Sequence, residues 1–415
     1  MSTWQKVKLK DCCISIADGD HQPPPKADVG VPFVTISNID AFNSLNFENA
    51  MHVPREYYDG LDPKRRATTG DVLYSVVGSF GIPVLIKDEA PFVFQRHIAI
   101  LRPDKTMLDS RFLYYTMRGK DFYHRADAAA IGAAQRTISL SALKNLETPL
   151  PPLPVQRRIA DILSAYDDLI ENNRKQIKLL EEAAQRLYKE WFIDLRFPGH
   201  EHTPIVNGIP AGWKFMTMGE VCETVGGGTP STQKREYYDG GNIFWVTPSD
   251  ITQNNCLILR RTEKKITHAG LKNSSAKLLP PYAILMTSRA TVGYFAVCKH
   301  SVSTNQGFIS CVPHDDTMRY FLLLNLMARV DEIRKKAVGA TYLEINKSTF
   351  RQLVILVPPL WLLTQFSKHI QCLVTKMESI CQEMDNLVIV RDRLLPKLMR
   401  GKIELKIAGD ISHTD

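Results

Sequence analysis

The chain has 415 residues, 44% of them hydrophobic and 23% charged, and carries a formal net charge of +8. This length exceeds what a single hydrophobic core usually serves, so two to four domains are expected. The sequence has no run of about 18 apolar residues and no apolar leader, which argues against a membrane span and a secretory signal. Its eight cysteines include no C-x-x-C pair, which argues against a zinc site and disulfides. These features predict a soluble, intracellular protein.

Residues 1–152 predict the first domain. Short β-rich segments at 31–36, 71–77 and 97–101 alternate with turns that contain glycine or proline. One helix is expected near 110–127, after these strands.

A long helix is predicted over 153–197, directly after Pro151-Pro152. Its apolar positions advance in steps of four and three, as in a coiled-coil seam, and polar Asn173 interrupts and shifts the seam. At about 1.5 Å per residue the helix is roughly 50–60 Å long, too long for a compact core. The predicted seam positions are 155, 159, 162, 166, 169, 177, 180, 184, 187 and 191.

The second half of the chain predicts the same order of elements. Residues 198–358 contain β-rich segments at 243–246, 283–286 and 307–312 and a helix near 317–336. A second long helix follows over 359–403, and residues 404–415 form a tail. The predicted seam positions of this helix are 366, 370, 373, 377, 380, 384, 387, 394 and 398.

An internal duplication connects the two halves. The pentapeptide EYYDG occurs at 56–60 and again at 236–240, but the flanking residues do not match at that spacing. A register of 212 residues near 33–39, 210 near 95–103 and 207 near 132–153 aligns much longer segments, and insertions in loops explain the drift. The sequence therefore predicts an α+β fold with two pseudo-repeated α/β domains, separated by two long helices that form an antiparallel coiled coil.

The positive charge is concentrated in the second domain. Residues 197–358 hold 18 Lys and Arg against 12 Asp and Glu, a net charge of +6. This excess is typical of proteins that bind a polyanion, and solubility alone is the other interpretation.

Motifs for catalysis are mostly incomplete. No phosphate-binding G-x-x-x-x-G-K-[ST] loop occurs. The segment Leu279-Pro280-Pro281-Tyr282 lacks the polar first residue with which adenine methyltransferases hold the target amine. Asp250 with Glu263-Lys264-Lys265 is similar to a nuclease signature, but the first repeat has no counterpart. Two separated, loop-rich domains instead suit a protein that contacts a bipartite DNA site from one face.

Several motifs carry a family resemblance. They are PLPPL at 149–153, QRRIA at 156–160, LEE at 180–182, WF at 191–192, GGTPS at 227–231 and LLPKLMRGKI at 394–403. Together they resemble the specificity subunits of type I restriction–modification enzymes, and the resemblance spans the whole chain. One departure is the start of the second long helix, WLLTQ at 361–365, which lacks the family's proline- or glutamate-bearing start.

The resemblance implies a non-catalytic, DNA-binding subunit of a prokaryotic, cytoplasmic host-defence system. Each target recognition domain would recognise one half of a bipartite asymmetric site in double-stranded DNA. The long helices would set the spacer and bind two modification subunits, which methylate adenine with S-adenosylmethionine. Restriction subunits, two in number, would add ATP- and Mg-dependent translocation and cleavage. This chain itself would bind no cofactor and no metal.

Candidate DNA contacts are polar loop residues at matched places of the two repeats. They are His21, Gln22, Ser37, Asn38, Ser79, Arg96, Gln135 and Arg136 in the first domain, and Thr229, Ser231, Thr247, Ser249, Arg289, Asn305, Gln306 and Tyr342 in the second. Candidate subunit-interface residues are Ile159, Tyr166, Leu180, Leu187, Trp191, Ile370, Met377, Leu387 and Leu394.

Alternative hypotheses remain open at this point. The chain could serve a methylation-only or a restriction-fused, type II-like system, or act alone as a methyltransferase or nuclease. A coiled-coil protein without DNA specificity is a further possibility. The similarity of the two seams also predicts that a 1–198 fragment pairs with itself.

Overall fold

The computed structural model describes residues 4–19, 24–40, 42–133, 135–254, 256–339, 341–403 and 405. The chain forms two compact units: Met1–Ile170 with Asn386–Asp415, called unit 1, and Glu171–Asp385, called unit 2. Each unit contains one of the two strand-rich segments and part of each long helix. The finer domain boundaries expected from the sequence stay a prediction.

Unit 1 contains three small sheets. Their orders are β2-β8-β5-β6, β4-β3-β7 and β1-β9, and every pair is antiparallel except β3–β7. The strands are β1 (Lys6–Lys8), β2 (Cys13–Asp18), β3 (Val31–Val34), β4 (Met51–Val53), β5 (Val72–Ser75), β6 (Pro83–Leu85), β7 (Val93–Phe94), β8 (Ile98–Pro103) and β9 (Glu147–Pro149).

The helices of unit 1 pack against its sheets. They are α1 (Leu9–Cys12), α2 (Arg55–Asp59), α3 (Ser110–Arg118), α4 (Lys120–Ala129), α5 (Leu140–Asn145) and the beginning of α6 (Leu153–Tyr188). The single helix predicted near 110–127 is two helices, because Gly119 adopts an extended backbone conformation between them. The core joins the sheet to α3 and α6 through residues such as Tyr74, Phe112 and Ile159.

Unit 2 repeats this topology. Its sheets have the orders β13-β19-β16-β17, β15-β14-β18 and β12-β20, with β14–β18 as the parallel pair, and a short β10–β11 hairpin is added. The strands are β10 (Ile205–Val206), β11 (Ile209–Pro210), β12 (Lys214–Thr217), β13 (Cys222–Gly226), β14 (Ile243–Val246), β15 (Lys264–Ile266), β16 (Ile284–Thr287), β17 (Phe295–Ala296), β18 (Val302–Thr304) and β19 (Phe308–Pro313), with β20 (Val354–Val357).

The helices of unit 2 follow the same plan. They are α7 (Met218–Val221), α8 (Pro248–Thr252), α9 (His268–Lys272), α10 (Arg319–Ala328), α11 (Val330–Lys335), α12 (Lys347–Arg351) and most of α13 (Leu360–Met399). The helix predicted near 317–336 is again divided, into α10 and α11. Residues 361–365, whose sequence departs from the family, lie in the first turns of α13, where Leu363 is buried.

Backbone hydrogen bonds confirm the duplication and its register. Val34 accepts from the Gln95 amide in unit 1, and Val246 accepts from the Asn305 amide in unit 2, at shifts of 212 and 210. The two EYYDG segments are not equivalent. The first lies in α2, after β3 and β4, whereas the second precedes β14, so their identity is a coincidence.

The long helices run antiparallel within each unit. In unit 1, Asp167 of α6 contacts Arg391 of α13. In unit 2, Tyr188 and Trp191 near the end of α6 pack on Phe366 near the start of α13, with ring centroids 6.4 and 5.6 Å apart.

The buried seam differs from the predicted one. In α6 and the π-helical turn Lys189–Ile193 that continues it, the seam follows an uninterrupted seven-residue spacing, at 156, 163, 170, 177, 184 and 191. The corresponding positions 207 residues later, 363, 370, 377, 384, 391 and 398, are buried in α13. The shift predicted after Asn173 does not occur. The apolar side chains Leu169, Leu180 and Leu187 suggested it, but Leu169 is 47% exposed and the other two are half-buried.

Candidate nucleic-acid interface

Four loops meet at one end of the four-stranded sheet in unit 1. Gly19, after β2, donates to the Ile98 carbonyl, and Val76, after β5, donates to the His97 carbonyl. The Ile138 amide donates to the Val76 carbonyl, and the Gly78 amide donates to the Arg136 carbonyl at 3.2 Å. The segments 76–81, 95–97, 131–133 and 135–138 therefore form one surface, here called the loop end of unit 1.

Unit 2 builds the same loop end. Ser288 donates to the Gly307 carbonyl, Ile345 donates to Ser288, and Ala290 donates to Leu343. The shifts from the corresponding residues of unit 1 are 212, 210 and 207. A side-chain hydrogen bond joins the loop after β13 to the loop before β19: the Thr229 hydroxyl donates to Gln306 Oε1 at 2.6 Å.

Glycines fix the backbone of both loop ends. A Cβ at Gly19 would lie 2.1 Å from the Phe94 carbonyl oxygen, and one at Gly227 would lie 2.2 Å from the equivalent oxygen of Thr304. In the hairpins, Gly132 and Gly339 have positive φ angles, and a Cβ at either would lie within 2.4 Å of a carbonyl oxygen. Only glycine fits these close approaches, so the backbone is the same in both repeats while the exposed side chains differ.

The loop ends bring together most of the predicted DNA contacts. Thr247 and Ser249 lie close by, at the end of β14, where Pro248 packs against Gly307, and Ser37 and Asn38 follow β3 in the same way. His21 and Gln22 lie outside the described residues. The candidates in the loop-end segments or on their edge are Ser79, Arg96, Gln135 and Arg136 in unit 1, and Thr229, Ser231, Arg289, Asn305, Gln306 and Tyr342 in unit 2.

Some candidates have structural partners. Asn38 accepts from the Thr35 amide at 2.9 Å and donates to the Asn46 carbonyl, and Asn305 accepts from the Gly307 amide. Arg136 is bound to Asp127, with 2.7 Å between Nη2 and Oδ1. Thr247 caps its short helix together with Asp250. These residues shape the loops through their hydrogen bonds.

Other candidates project from the surface. Ser79, Arg96 and Gln135 are exposed, and Tyr342 is 61% exposed. Gln306 is also exposed, although its Oε1 accepts from the Thr229 hydroxyl. Exposed amide and guanidinium groups are those that contact base edges most often. Beside Arg96, burial lowers the pKa of His97, and the positive charge of Arg96 lowers it further, which favours the neutral imidazole.

Two lysines of unit 2 were not among the DNA contacts predicted from the sequence. Lys277 and Lys347 are exposed and line a groove of about 930 Å³, together with Gly226, Ser275 and Gln306. A Cβ at Gly226 would lie 2.7 Å from Lys347 Nζ, so this glycine makes room for the lysine. The basic excess of residues 197–358 indicated such a surface without locating it.

The residues of the rival catalytic hypotheses have structural roles. Asp250 accepts from the amides of Thr247 and Glu263, both at 2.8 Å, and Lys265 lies over the Phe244 ring. Tyr282 donates to Glu378 at 2.8 Å. In the part of the chain that the structure describes, no three His, Cys, Asp or Glu side chains cluster as metal ligands, and no helix is long and apolar enough to cross a membrane.

The candidate subunit-interface residues divide into two groups. Ile159, Trp191, Ile370 and Met377 are buried inside the chain. Tyr166, Leu180, Leu187, Leu387 and Leu394 are half-buried at the flanks of the seam. Large apolar side chains that remain exposed on the two long helices, among the described residues, are Leu169, Leu179, Leu360, Trp361, Ile389 and Val390.

Comparisons with known proteins agree with this architecture. A family model described as the type I restriction modification DNA specificity domain matches residues 1–182 and 210–365. The chain is 22% identical to the type I restriction enzyme HindI specificity subunit of Haemophilus influenzae, over 97% of this chain and all of that protein. It is 34% identical to the MjaIX specificity subunit of Methanocaldococcus jannaschii over 37% of this chain and 36% of that protein. The crystal structure of a type I restriction–modification S subunit from M. genitalium has the same fold, with a TM-score of 0.55, 17% identity and 97% coverage of both chains.

Proposed function

The chain belongs to the family of type I restriction–modification DNA specificity subunits, which are generally non-catalytic. We propose that its two units divide the recognition of DNA between them. Each loop end recognises one half of a bipartite, asymmetric DNA site. The observation that carries this proposal is a backbone built twice with different exposed side chains. Arg96 in unit 1 corresponds to Gln306 in unit 2, and Gln135 corresponds to Tyr342.

The difference in side chains matches the chemistry of base recognition. Arginine pairs with guanine through O6 and N7, and glutamine pairs with adenine through N6 and N7. A tyrosine ring offers an apolar face to the methyl group of thymine or to an unstacked base. Two loop ends with different groups therefore select two different half-sites, and Lys277 and Lys347 supply contacts to phosphates near the second.

The long helices hold the two domains and bind the partner subunits. Two modification subunits dock on their exposed surfaces and carry S-adenosylmethionine and the methyl-transfer chemistry, and two restriction subunits join where the system has them. The chain itself supplies neither catalytic groups nor a cofactor. Its setting is the bacterial or archaeal cytoplasm, where the DNA lies.

Methylome sequencing tests this function. The host gene is deleted, and adenine methylation is mapped with and without a plasmid that carries the chain. One bipartite motif should disappear on deletion and return with the plasmid. An unchanged methylome in a strain with an active modification subunit would refute the proposal. The purified chain, incubated alone with S-adenosylmethionine or Mg²⁺, should leave DNA unmethylated and uncut, and activity there would support an autonomous enzyme.

A further inference from the structure

Asp167 and Arg391 form an ion pair across the seam of the long helices. Arg391 of α13 has a side chain only 6% exposed, and its Nη1 lies 2.5 Å from Asp167 Oδ1 of α6. Asp167 also accepts from the Tyr115 hydroxyl at 2.7 Å and lies 3.3 Å from Arg118 Nη1. Arg391 additionally contacts Asp392, whose side chain is 53% exposed. All of these residues belong to unit 1.

The duplication gives this pair an apolar counterpart. At the shift of 207 residues that relates the helices, Asp167 corresponds to Val374 and Ala184 corresponds to Arg391. Val374 is fully buried and Ala184 is 3% exposed, both in unit 2. At one place of the repeat the seam therefore has an acid and a base, and at the equivalent place it has a valine and an alanine.

We propose that the Asp167–Arg391 pair makes the helices selective for each other: α6 pairs with α13 and not with the α6 of a second copy. Pairing of α6 with another α6 would place Asp167 opposite Ala184, and pairing of α13 with another α13 would place Arg391 opposite Val374. Each like-with-like pair buries a charge without its partner across the seam, whereas the pair within the chain leaves none.

The cost of losing the ion pair differs between the α6–α6 pair and the α13–α13 pair. In an α6–α6 pair, Asp167 would keep Tyr115 and Arg118 and would lose only Arg391. In an α13–α13 pair, Arg391 would lose its only buried acidic partner among the contacts described above, and its long side chain would have to fit against valine. A single buried polar or charged position that fixes the partner at some cost in stability is a known device in coiled coils. The self-pairing of a 1–198 fragment, expected from the similar seams, is therefore only weakly opposed, because Asp167 loses Arg391 but keeps Tyr115 and Arg118 in the fragment.

The test uses the full chain, unfolded in denaturant and refolded by dilution at micromolar concentration. Mass is then measured by light scattering after size exclusion. The key variant is D167V/R391A, which gives each of these two positions the residue of its repeat counterpart and makes the seam symmetric there. We expect the wild-type chain to return as a monomer and the dimer fraction of the variant to rise about tenfold, because no buried charge then penalises like-with-like pairing.

Two controls separate selectivity from lost stability. The variant D167V/R391A/A184R/V374D moves the ion pair to the other place of the repeat and should return to monomer. Met377→Ala weakens the seam but leaves the Asp167–Arg391 pair in place, and it should not raise the dimer fraction. A symmetric variant that refolds to the same monomer fraction as wild type overturns the proposal, as does a Met377→Ala dimer fraction equal to that of D167V/R391A.

A thermal double-mutant cycle keeps the proposal testable if the variants refold poorly. We expect Asp167→Val alone to lower Tm more than D167V/R391A does, because it leaves Arg391 buried without its partner. Additive Tm losses would show that the two side chains are not coupled and would overturn the proposal.

Discussion

Gln156 and Leu363 occupy the same position of the repeat but hold the start of their helices in different ways. The Gln156 side chain is fully buried, accepts from the Asp109 amide at 2.9 Å and donates to the carbonyls of Met107 and Pro151 at 2.9 and 2.7 Å. Leu363 is 3% exposed, and its apolar side chain cannot form such hydrogen bonds. The residue that joins the first domain to its helix is therefore polar, and its loss leaves backbone groups unpaired.

Gln156→Leu tests this role with little change in volume. We expect the free energy of unfolding to fall by about 3 kcal/mol, because each buried backbone group left unpaired costs about 1–3 kcal/mol. Chemical denaturation measures the change, provided that the unfolding of unit 1 is resolved. The exposed Gln185→Leu on the same helix is the control and should be nearly neutral. Equal effects of the two substitutions would contradict this role.

Glu181 gives unit 2 a pH dependence. Its Oε1 accepts from the Leu257 amide at 2.6 Å, and burial raises the pKa of its carboxyl above the ordinary value, although that hydrogen bond lowers it. The ionised form is thus disfavoured in the folded state. The resulting loss of stability is full above the folded pKa and disappears as the pH falls towards the unfolded value of about 4.3.

Glu181→Gln keeps an acceptor for Leu257 and removes the charge. We expect the variant to have the higher Tm near pH 7, and the difference should shrink as the pH is lowered towards 4. Thermal melts from pH 4 to 8 measure it, with Glu182→Gln, on the adjacent and less constrained residue, as the control. A difference that grows as the pH falls would have the wrong sign for this explanation.

Substitutions of Arg96 and Arg136 are expected to impair DNA binding in different ways, although both residues lie at the loop end of unit 1. Arg96 is exposed, whereas Arg136 is bound to Asp127 and helps to shape the hairpin. Arg96→Ala should weaken binding to one half-site only, by about 1–3 kcal/mol if a bidentate base contact is lost. Competition binding of the assembled complex to duplexes mutated in either half measures this. A uniform loss over all duplexes would mark Arg96 as a phosphate contact.

At the scale of elements, the sequence located the helices better than their buried faces. Periodicity predicted helices at 153–197 and 359–403, and the structure has them at Leu153–Tyr188, with a π-helical turn at Lys189–Ile193, and at Leu360–Met399. The seam was partly wrong because Gln156, Asn173 and Arg391 are buried although polar. Hydrophobicity alone cannot identify such positions, since their burial depends on partners distant in sequence.

The observed seam predicts that substitutions at buried and at exposed positions of α6 have different effects, the first on folding and the second on docking. Ile177 is 4% exposed, whereas Leu179, two residues on, is 63% exposed. Ile177→Asp should unfold unit 2 because it buries an unpaired carboxylate. Leu179→Asp should leave Tm unchanged and weaken binding of the modification subunit, because exposed apolar groups on a helix mark an interaction surface. Analytical ultracentrifugation of the mixture measures assembly, and full assembly of the Leu179→Asp chain would place the docking surface elsewhere.

At the scale of the whole molecule, the duplication was the strongest signal in the sequence. The shifts of 212, 210 and 207 found between segments such as 33–39 and 245–251 recur in the strand pairs and loop hydrogen bonds of both units. The loop-end contacts could be predicted as a region but not as a set of residues. Whether Arg136 faces DNA or Asp127 depends on side-chain contacts that one sequence does not encode in its spacing.

The two helices give a direct test of how the half-site spacing is set. A seven-residue insertion after Lys175 and another after Gln382, which correspond in the repeat, preserve the seven-residue spacing of the seam in both helices. Seven residues lengthen a helix by about 10.5 Å, which equals about three base pairs at 3.4 Å each. We expect the methylated motif to keep both half-sites and to gain about three base pairs between them.

Affinity should fall as the spacer grows, because three base pairs also rotate one half-site by roughly a third of a turn, given 10–10.5 base pairs per turn. The DNA must untwist or the domains must turn to restore contact, and either costs free energy. The matched control inserts seven residues after Lys175 alone, which breaks the pairing of the helices and should abolish methylation at both half-sites. A motif with its original spacing in the doubly extended chain would show that the helices do not set the spacer.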